Sequence, residues 1–267
     1  MTAVETRRQA AEEPGGPATA QHVTKIPMTR LTLVELRKLA DTRSGFWLLL
    51  VIGVASAGTA AILLSAAPAE EQRFFDLLSF GLAPATVLLP VLGVLSMTSE
   101  WSQRTALATF TLVPERGRVI TAKLLAGVLI AIAAVVAAVA LSALANLIAI
   151  GIGGDGSWHI TADQLGRLLL NQVIFLLMGA GFGALLMSSP LAIVLYFALP
   201  TAWSILGEVI KPLSTAAGWA DLNITATPLS EPEMTSGQWA RLGVSVAIWV
   251  LVPLVLGTLR TLRREVS

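Results

Sequence analysis

This 267-residue chain contains no cysteine, which excludes disulfides, thiolate metal sites and cysteine nucleophiles. It has only two histidines, His22 and His159, far apart in dissimilar segments, so a histidine-based metal cluster within one chain is not expected. Lysine occurs only as Lys25, Lys38, Lys123 and Lys211, and none follows a glycine. A phosphate loop needs Gly-x-x-x-x-Gly-Lys-Ser/Thr so that backbone N–H groups and a lysine hold the phosphates, and that route to ATP is therefore closed. Charged residues make up 13% of the chain. None falls in the middle of the six apolar stretches between Phe46 and Leu259, so the interior offers no group with which to relay protons.

What is present is apolar surface. The chain is 55% hydrophobic, with mean hydropathy +0.75, far above what a soluble domain of this size tolerates. Each apolar stretch, of roughly 18 to 29 residues, is long enough to cross a hydrocarbon core of about 30 Å as a helix. The spacing predicts an all-α polytopic membrane protein with six transmembrane helices. They are expected at about residues 46–64, 77–97, 124–152, 168–187, 191–207 and 242–259. Pro84 and Pro90 should bend the second, and the third must tilt or project beyond the bilayer.

Residues 1–27 lack an apolar signal-peptide core and are broken by Pro14-Gly15-Gly16-Pro17, which reads as a disordered cytoplasmic tail ahead of a transmembrane domain at 28–267. Arg7-Arg8 are balanced by Glu5, Glu12 and Glu13, so a nucleic-acid arm is not expected. If the N-terminus is cytoplasmic, fourteen of the eighteen basic residues collect on that side and only Arg73, Arg167, Lys211 and Arg241 on the other. That bias places both termini inside.

Residues 28–43 carry a helical period, with Leu33, Leu36, Leu39 and Ala40 on one face and Arg30, Arg37, Lys38 and Asp41 on the other. Such a basic amphipathic helix lies in the interface plane. Two readings stand: a positively charged stop before a span, or an elbow helix that also touches a cytoplasmic partner through Glu35, Arg37 and Lys38.

The most informative polar stretch follows the second span, at about 99–118. Thr98 or Ser99 is expected to cap a short helix with Glu100 in its first turn, Leu107 and Phe110 on its apolar side, and Pro114 as its stop. Arg116, Arg118 and Lys123 follow as the chain re-enters the membrane. A short amphipathic helix on a cytoplasmic turn suits docking in a groove of a soluble partner.

With these residues in view, the chain resembles a family. An ELRKL-type interfacial helix (Glu35–Leu39) precedes the first span; a T-S-E-x-x-x-x-T segment (Thr98–Thr105) follows the second. Then come F-x-x-x-P-x-R-x-R (Phe110–Arg118) and Ala122-Lys123 entering the third. The ordered set, over about residues 28–264, is similar to the permease subunit of a type-2 ATP-binding cassette exporter. Arg104 departs from the pattern, since many relatives have glycine before the threonine.

The resemblance implies a non-catalytic transport subunit that holds no cofactor itself and pairs with a second, identical or different, permease chain. ATP and magnesium would be bound by a separate ATP-hydrolysing subunit. Glu100, Arg104, Thr105, Leu107, Phe110, Pro114 and Arg116 would form the coupling segment, and the turn Ser188-Ser189-Pro190 a minor contact. Short outer-side helices would occupy about 210–240, with Trp219 and Trp239 at interfacial depth.

Other polar residues have plainer readings beside functional ones. Asn146, Asn171 and Gln172 lie in or near spans, where they either glue helices together or line a translocation path. Gly179-Ala-Gly-Phe-Gly183 permits close helix approach, within the chain or between chains. Ser157 and His159 in a glycine-rich outer loop do not make a triad. Asn223-Ile-Thr225 fits a glycosylation sequon and matters only in a host that glycosylates. The expected function is export of a hydrophobic or amphipathic substrate across a bacterial plasma membrane, with energy from the partner. The alternative is a self-sufficient secondary carrier or channel. A membrane enzyme finds no support, since paired carboxylates and an HExxH helix are lacking.

Overall fold

The structure, a computed structural model, describes residues 26–102, 115–231 and 233–263. Among them every regular element is helical. The chain begins with α1 (Met28–Asp41) and α2 (Arg43–Ala66), then α3 (Phe74–Gly81) and α4 (Ala83–Ser102). α5 (Arg116–Gly151), α6 (Ala162–Leu186) and α7 (Ser189–Val209) follow. Two short helices, α8 (Lys211–Ala220) and α9 (Leu222–Ala226), precede α10 (Ser236–Val246) and α11 (Val252–Arg263). Counting α3 with α4 and α10 with α11, six helical units are long and apolar enough to cross a membrane. The protein is an all-α multi-pass membrane protein.

Proline chemistry explains the irregular spans. The second is divided at Leu82, whose φ −83° and ψ −13° stay right-handed, so α4 follows α3 after that single residue. Pro84 then sits in the first turn of α4, where its missing N–H costs nothing. In the sixth span a π-turn, Ala247–Leu251, lies just before Pro253 and gives its ring room against the preceding turn. The indole of Trp249, in that turn, donates to the Ala220 carbonyl at 2.7 Å and ties the last span to the end of α8.

α6 is the central helix: two-thirds of its most apolar window is buried, against 17% for α2. One apolar cluster joins Leu39, Ile52, Leu89, Leu92, Ile130 and Leu176 from α1, α2, α4, α5 and α6. A second joins Ile174, Phe182, Tyr196, Leu222, Leu242 and Val250 on the other side of α6. The glycine triplet at 179–183 closes these contacts within the chain. A Cβ on Gly179 would stand 2.1 Å from the Pro90 carbonyl oxygen, and one on Gly183 2.8 Å from that of Val94. Gly93 answers from α4, where a Cβ would meet the Leu176 carbonyl at 2.4 Å. Small residues let these two backbones touch, which is how apolar helices gain contact energy when lipid offers no hydrophobic drive.

Three expectations need correction. Thr98, Ser99 and Glu100 do not begin a new helix: they lie inside α4, which runs on to Ser102. The Thr98 hydroxyl donates back to the Val94 carbonyl at 2.9 Å and pairs with Ser189 Oγ at 2.6 Å, so it is not a cap. α5 begins at Arg116 rather than near Leu124; its 36 residues span about 54 Å, and its basic first turns are helical. The third correction concerns α1, whose buried stripe is Thr32, Glu35 and Leu39. Leu33, expected on the same face as Leu36 and Leu39, is 56% exposed. The rotation brings Glu35 inward, toward a lysine described below.

Candidate functional site

The end of the bundle that carries α1 also carries the junctions of α4 and α5 with the 103–114 segment; it is called here the basic end. Pro27 precedes α1, and the Thr42 side chain accepts the Gly45 N–H at 3.2 Å to start α2. The fold-back between the two helices is so tight that a Cβ on Gly45 would lie 1.7 Å from the Leu39 carbonyl oxygen. α1 is thereby laid across α5 with Glu35 facing in.

There Glu35 meets Lys123 from the second turn of α5, Nζ to Oε2, at 2.8 Å. Lys123 also donates to the Ser96 carbonyl at 3.0 Å and stands 3.1 Å from Glu100 Oε1. Lys38 closes the ring, 2.6 Å from Glu35 Oε1 and 3.5 Å from Glu100 Oε1. The Lys123, Glu100 and Glu35 side chains are only 3%, 6% and 8% exposed, while Lys38 is 43% exposed. Two carboxylates and two ammoniums balance, which is what allows charge to be buried here at all. Burial opposes ionisation of Glu35, but Lys123 and then Lys38 outweigh it and hold the carboxyl below its ordinary 4.5. Burial likewise works against charged Lys38, yet Glu35 and Glu100 hold its ammonium above the ordinary 10.5.

The cluster ties α1 to the last turn of α4 and the start of α5, the two helices that flank residues 103–114. Nearby, Arg116 Nη1 donates to the Thr261 carbonyl at 3.1 Å, and Arg118 donates to that of Ile26. Arg260 reaches the Leu185 carbonyl at 2.5 Å at the end of α6. The Thr98–Ser189 contact adds the turn between α6 and α7, whose Met187 takes the left-handed φ of 54°. Among the described residues, polar contacts thus pin the α1–α2 and α6–α7 turns and the starts or ends of α5 and α11 at this end. A cavity of about 340 Å³ opens between α1, the start of α2 and the end of α4.

Of the residues singled out for partner coupling, Glu100 and Arg116 are thus internal anchors. Arg104, Thr105, Leu107, Phe110 and Pro114 lie outside the described residues, as does His22. Glu35 and Lys38 belong to the cluster, whereas Arg37 is exposed. Asn146 makes its contact apart from Asn171 and Gln172, which are neighbours on α6. Asn146 is fully buried near the far end of α5 and donates to the Gly156 carbonyl at 2.9 Å, fixing the 153–157 loop. Gln172 donates to Thr86 Oγ1 at 2.8 Å, joining α6 to α4. Asn171 is buried beside it on α6. Two of the three therefore act as helix or loop glue.

The opposite end is organised by Arg167, absent from the sequence reading except as a count of charge. Its guanidinium, 3% exposed, pairs with Asp163 at 2.9 Å and donates to the Glu231 carbonyl at 2.9 Å and that of Pro228 at 3.3 Å. It holds the 3₁₀ turn Thr227–Ser230 against α6. Arg73 pairs with Asp155 at 2.8 Å, and His159 lines an open cavity with Asp76 and Glu231. Short helices do occupy the segment before the last span, and Arg241 sits 5.7 Å over the Trp219 ring.

Sequence reasoning named Lys123 only as a charge entering the third span, missing its pairing with Glu35 and Glu100, and did not name Ser96. The available signal was that Glu100 and Lys123 each sit within a few residues of a span boundary, with Glu35 on the interfacial helix ahead of the first span. No protein-family profile matches this chain, and no curated protein sequence is significantly similar to it.

Proposed function

We propose that this protein is the membrane-embedded permease subunit of an ATP-driven exporter, resembling the type-2 ATP-binding cassette class. It would act with a second permease subunit and a separate ATP-hydrolysing subunit docked on residues 103–114. The observation that carries the reading is the buried ion cluster. Glu35, Lys38, Glu100 and Lys123 lock the interfacial helix to both helices that flank this segment. A force reaching the ends of α4 and α5 passes along these helices, and from α4 through its glycine contact into α6. Rigid, packed helices of this kind move as bodies rather than deforming.

In this reading the basic end faces the cytoplasm, as the distribution of Lys and Arg requires, and both termini lie inside a plasma membrane. The substrate is hydrophobic or amphipathic. A proton-coupled carrier would need an unbalanced ionisable group near the midplane; the buried carboxylates described here are matched by ammoniums and lie at one end.

Purification from native membranes tests the proposal. An ATPase subunit is expected to co-purify and to be lost in Phe110→Asp, with membrane insertion unchanged. Full transport by the isolated chain in ATP-free liposomes would refute it and favour the carrier.

A further inference from the structure

With Glu35 turned inward, the opposite side of α1 mixes cations with apolar side chains. Arg30, Leu33, Val34, Arg37 and Asp41 follow one another at helical spacing, and all are exposed. Leu33 and Val34 are 56% and 46% exposed, and Arg43, Phe46 and Trp47 carry the strip onto the start of α2. The Arg30, Arg37 and Arg43 guanidiniums make no hydrogen bond or ion pair among the described residues. Lys38 is taken up by Glu35 and Glu100, so these three arginines stand against Asp41 alone.

The helices themselves do not gain from these charges. Arg30 and Arg43 stand in the first turns of α1 and α2, which hold no acidic residue, and there a helix dipole disfavours a cation. Orienting the chain in a membrane asks for basic residues at this end, but not for exposed Leu33 and Val34 between them. The direction of the strip follows from what α1 packs on. Its inward face meets Leu92 and Glu100 on α4 and Lys123 on α5, short of the ends of those helices at Ser102 and Arg116. α1 therefore lies against their flanks, and its outer face looks sideways out of the bundle. Phe46 and Trp47, 54% and 60% exposed just after the fold-back, mark that level as the membrane–water boundary.

We propose that the outer strip of α1 is a docking surface for anionic phospholipids of the leaflet at the basic end. Leu33 and Val34 enter the acyl boundary, and Arg30, Arg37 and Arg43 meet the negative headgroups around them. A choline headgroup brings its own cation beside the arginines and offsets its phosphate; a glycerol headgroup does not. Charge complementarity thus selects the anionic lipid, while the two apolar side chains select a bilayer over free phosphate. The lipid holds α1 from outside as the ion cluster holds it from within. The inference does not depend on an ATPase partner, so it can fail while the proposed function stands, and the reverse.

The test places a fluorescent thiol probe on Leu33→Cys, a unique site because the chain has no cysteine. The full chain is reconstituted in phosphatidylcholine vesicles that carry a minor fraction of brominated phosphatidylglycerol or, in parallel, of brominated phosphatidylcholine. Quenching should report a local preference for the glycerol lipid of about fivefold at low salt. The preference should fall toward parity at about 1 M salt. Arg30→Gln combined with Arg37→Gln, both at exposed positions, should bring it within about twofold of parity with helix content unchanged by circular dichroism. Arg30→Lys combined with Arg37→Lys keeps the charge and should keep the preference. Equal quenching by the two lipids, or an unaltered preference in the glutamine variant, overturns the selectivity for anionic lipid. A probe that neither lipid quenches, and that soluble iodide reaches, overturns the lipid surface itself; that is the result expected if the strip faces water or a soluble protein.

Discussion

Replacing Lys123 by methionine removes the centre of the ion cluster while nearly preserving volume. Two carboxylates, 8% and 6% exposed, are then left with Lys38 alone, at 2.6 Å from one and 3.5 Å from the other, and the Ser96 carbonyl loses one of its donors, keeping the Ser99 hydroxyl at 3.3 Å. Removing one partner from a buried pair typically costs about 3–5 kcal/mol. Because the loss falls on the docking of α1, it should appear first as local undocking. The chain has no cysteine, so Leu39→Cys, a position 7% exposed, provides a unique reporter. Thiol labelling at that site should accelerate on the order of 10²–10³-fold in the Lys123→Met background. Adding Glu35→Gln should restore part of the protection, since the stranded charge is then gone, and the two substitutions should couple by about 2 kcal/mol. A labelling rate within about threefold of the parent, or strict additivity, would mean that the cluster is incidental to the position of α1.

The remaining expectations follow from other contacts. Glu35 is held below 4.5, so its contribution is full above that value and fades as pH falls through its lowered folded pKa; Lys38 is held above 10.5, so its contribution is full below that value and fades as pH rises beyond it. The distance between spin labels at Arg37→Cys and Ser102→Cys should therefore hold constant from about pH 5 to 10 and broaden outside it; a transition near neutrality would contradict the pairing. Gly179→Ala sets a methyl 2.1 Å from the Pro90 carbonyl oxygen and should cost about 3 kcal/mol in detergent unfolding. Gly117→Ala meets nothing within 4 Å and should be neutral or stabilising by up to about 1 kcal/mol, and similar losses from both would remove the helix-contact argument. Arg167→Met should speed hydrogen exchange in the Thr227–Ser230 turn about 10–100-fold by removing its charged donor; unaltered exchange there would show that packing alone holds the turn.

Each of these tests turns on a contact between residues distant in sequence, and that marks where sequence reading stopped. α1 was legible as a helix from its period, but the face it buries was not. Apolar count alone favours Leu33, and only the approach of Lys123, 88 residues away, turns Glu35 inward instead. Glu100 suited the first turn of a new helix by local electrostatics. In the folded chain α4 continues through it, because its charge finds a partner on α5. The glycine triplet left open whether it served one chain or two; the Pro90 and Val94 carbonyls against it show that it packs within the chain.

What the sequence by itself determined is the solvent, the number of spans and the helical class. Runs of apolar residues decide these locally: a backbone in lipid must satisfy its own hydrogen bonds, whatever else the chain does. Tertiary structure alone decided which charges are buried together, which helix sits at the centre and where a cavity opens beside Ser96. Those depend on pairings across tens of residues, where a single lysine placed by one helix sets the rotation of another.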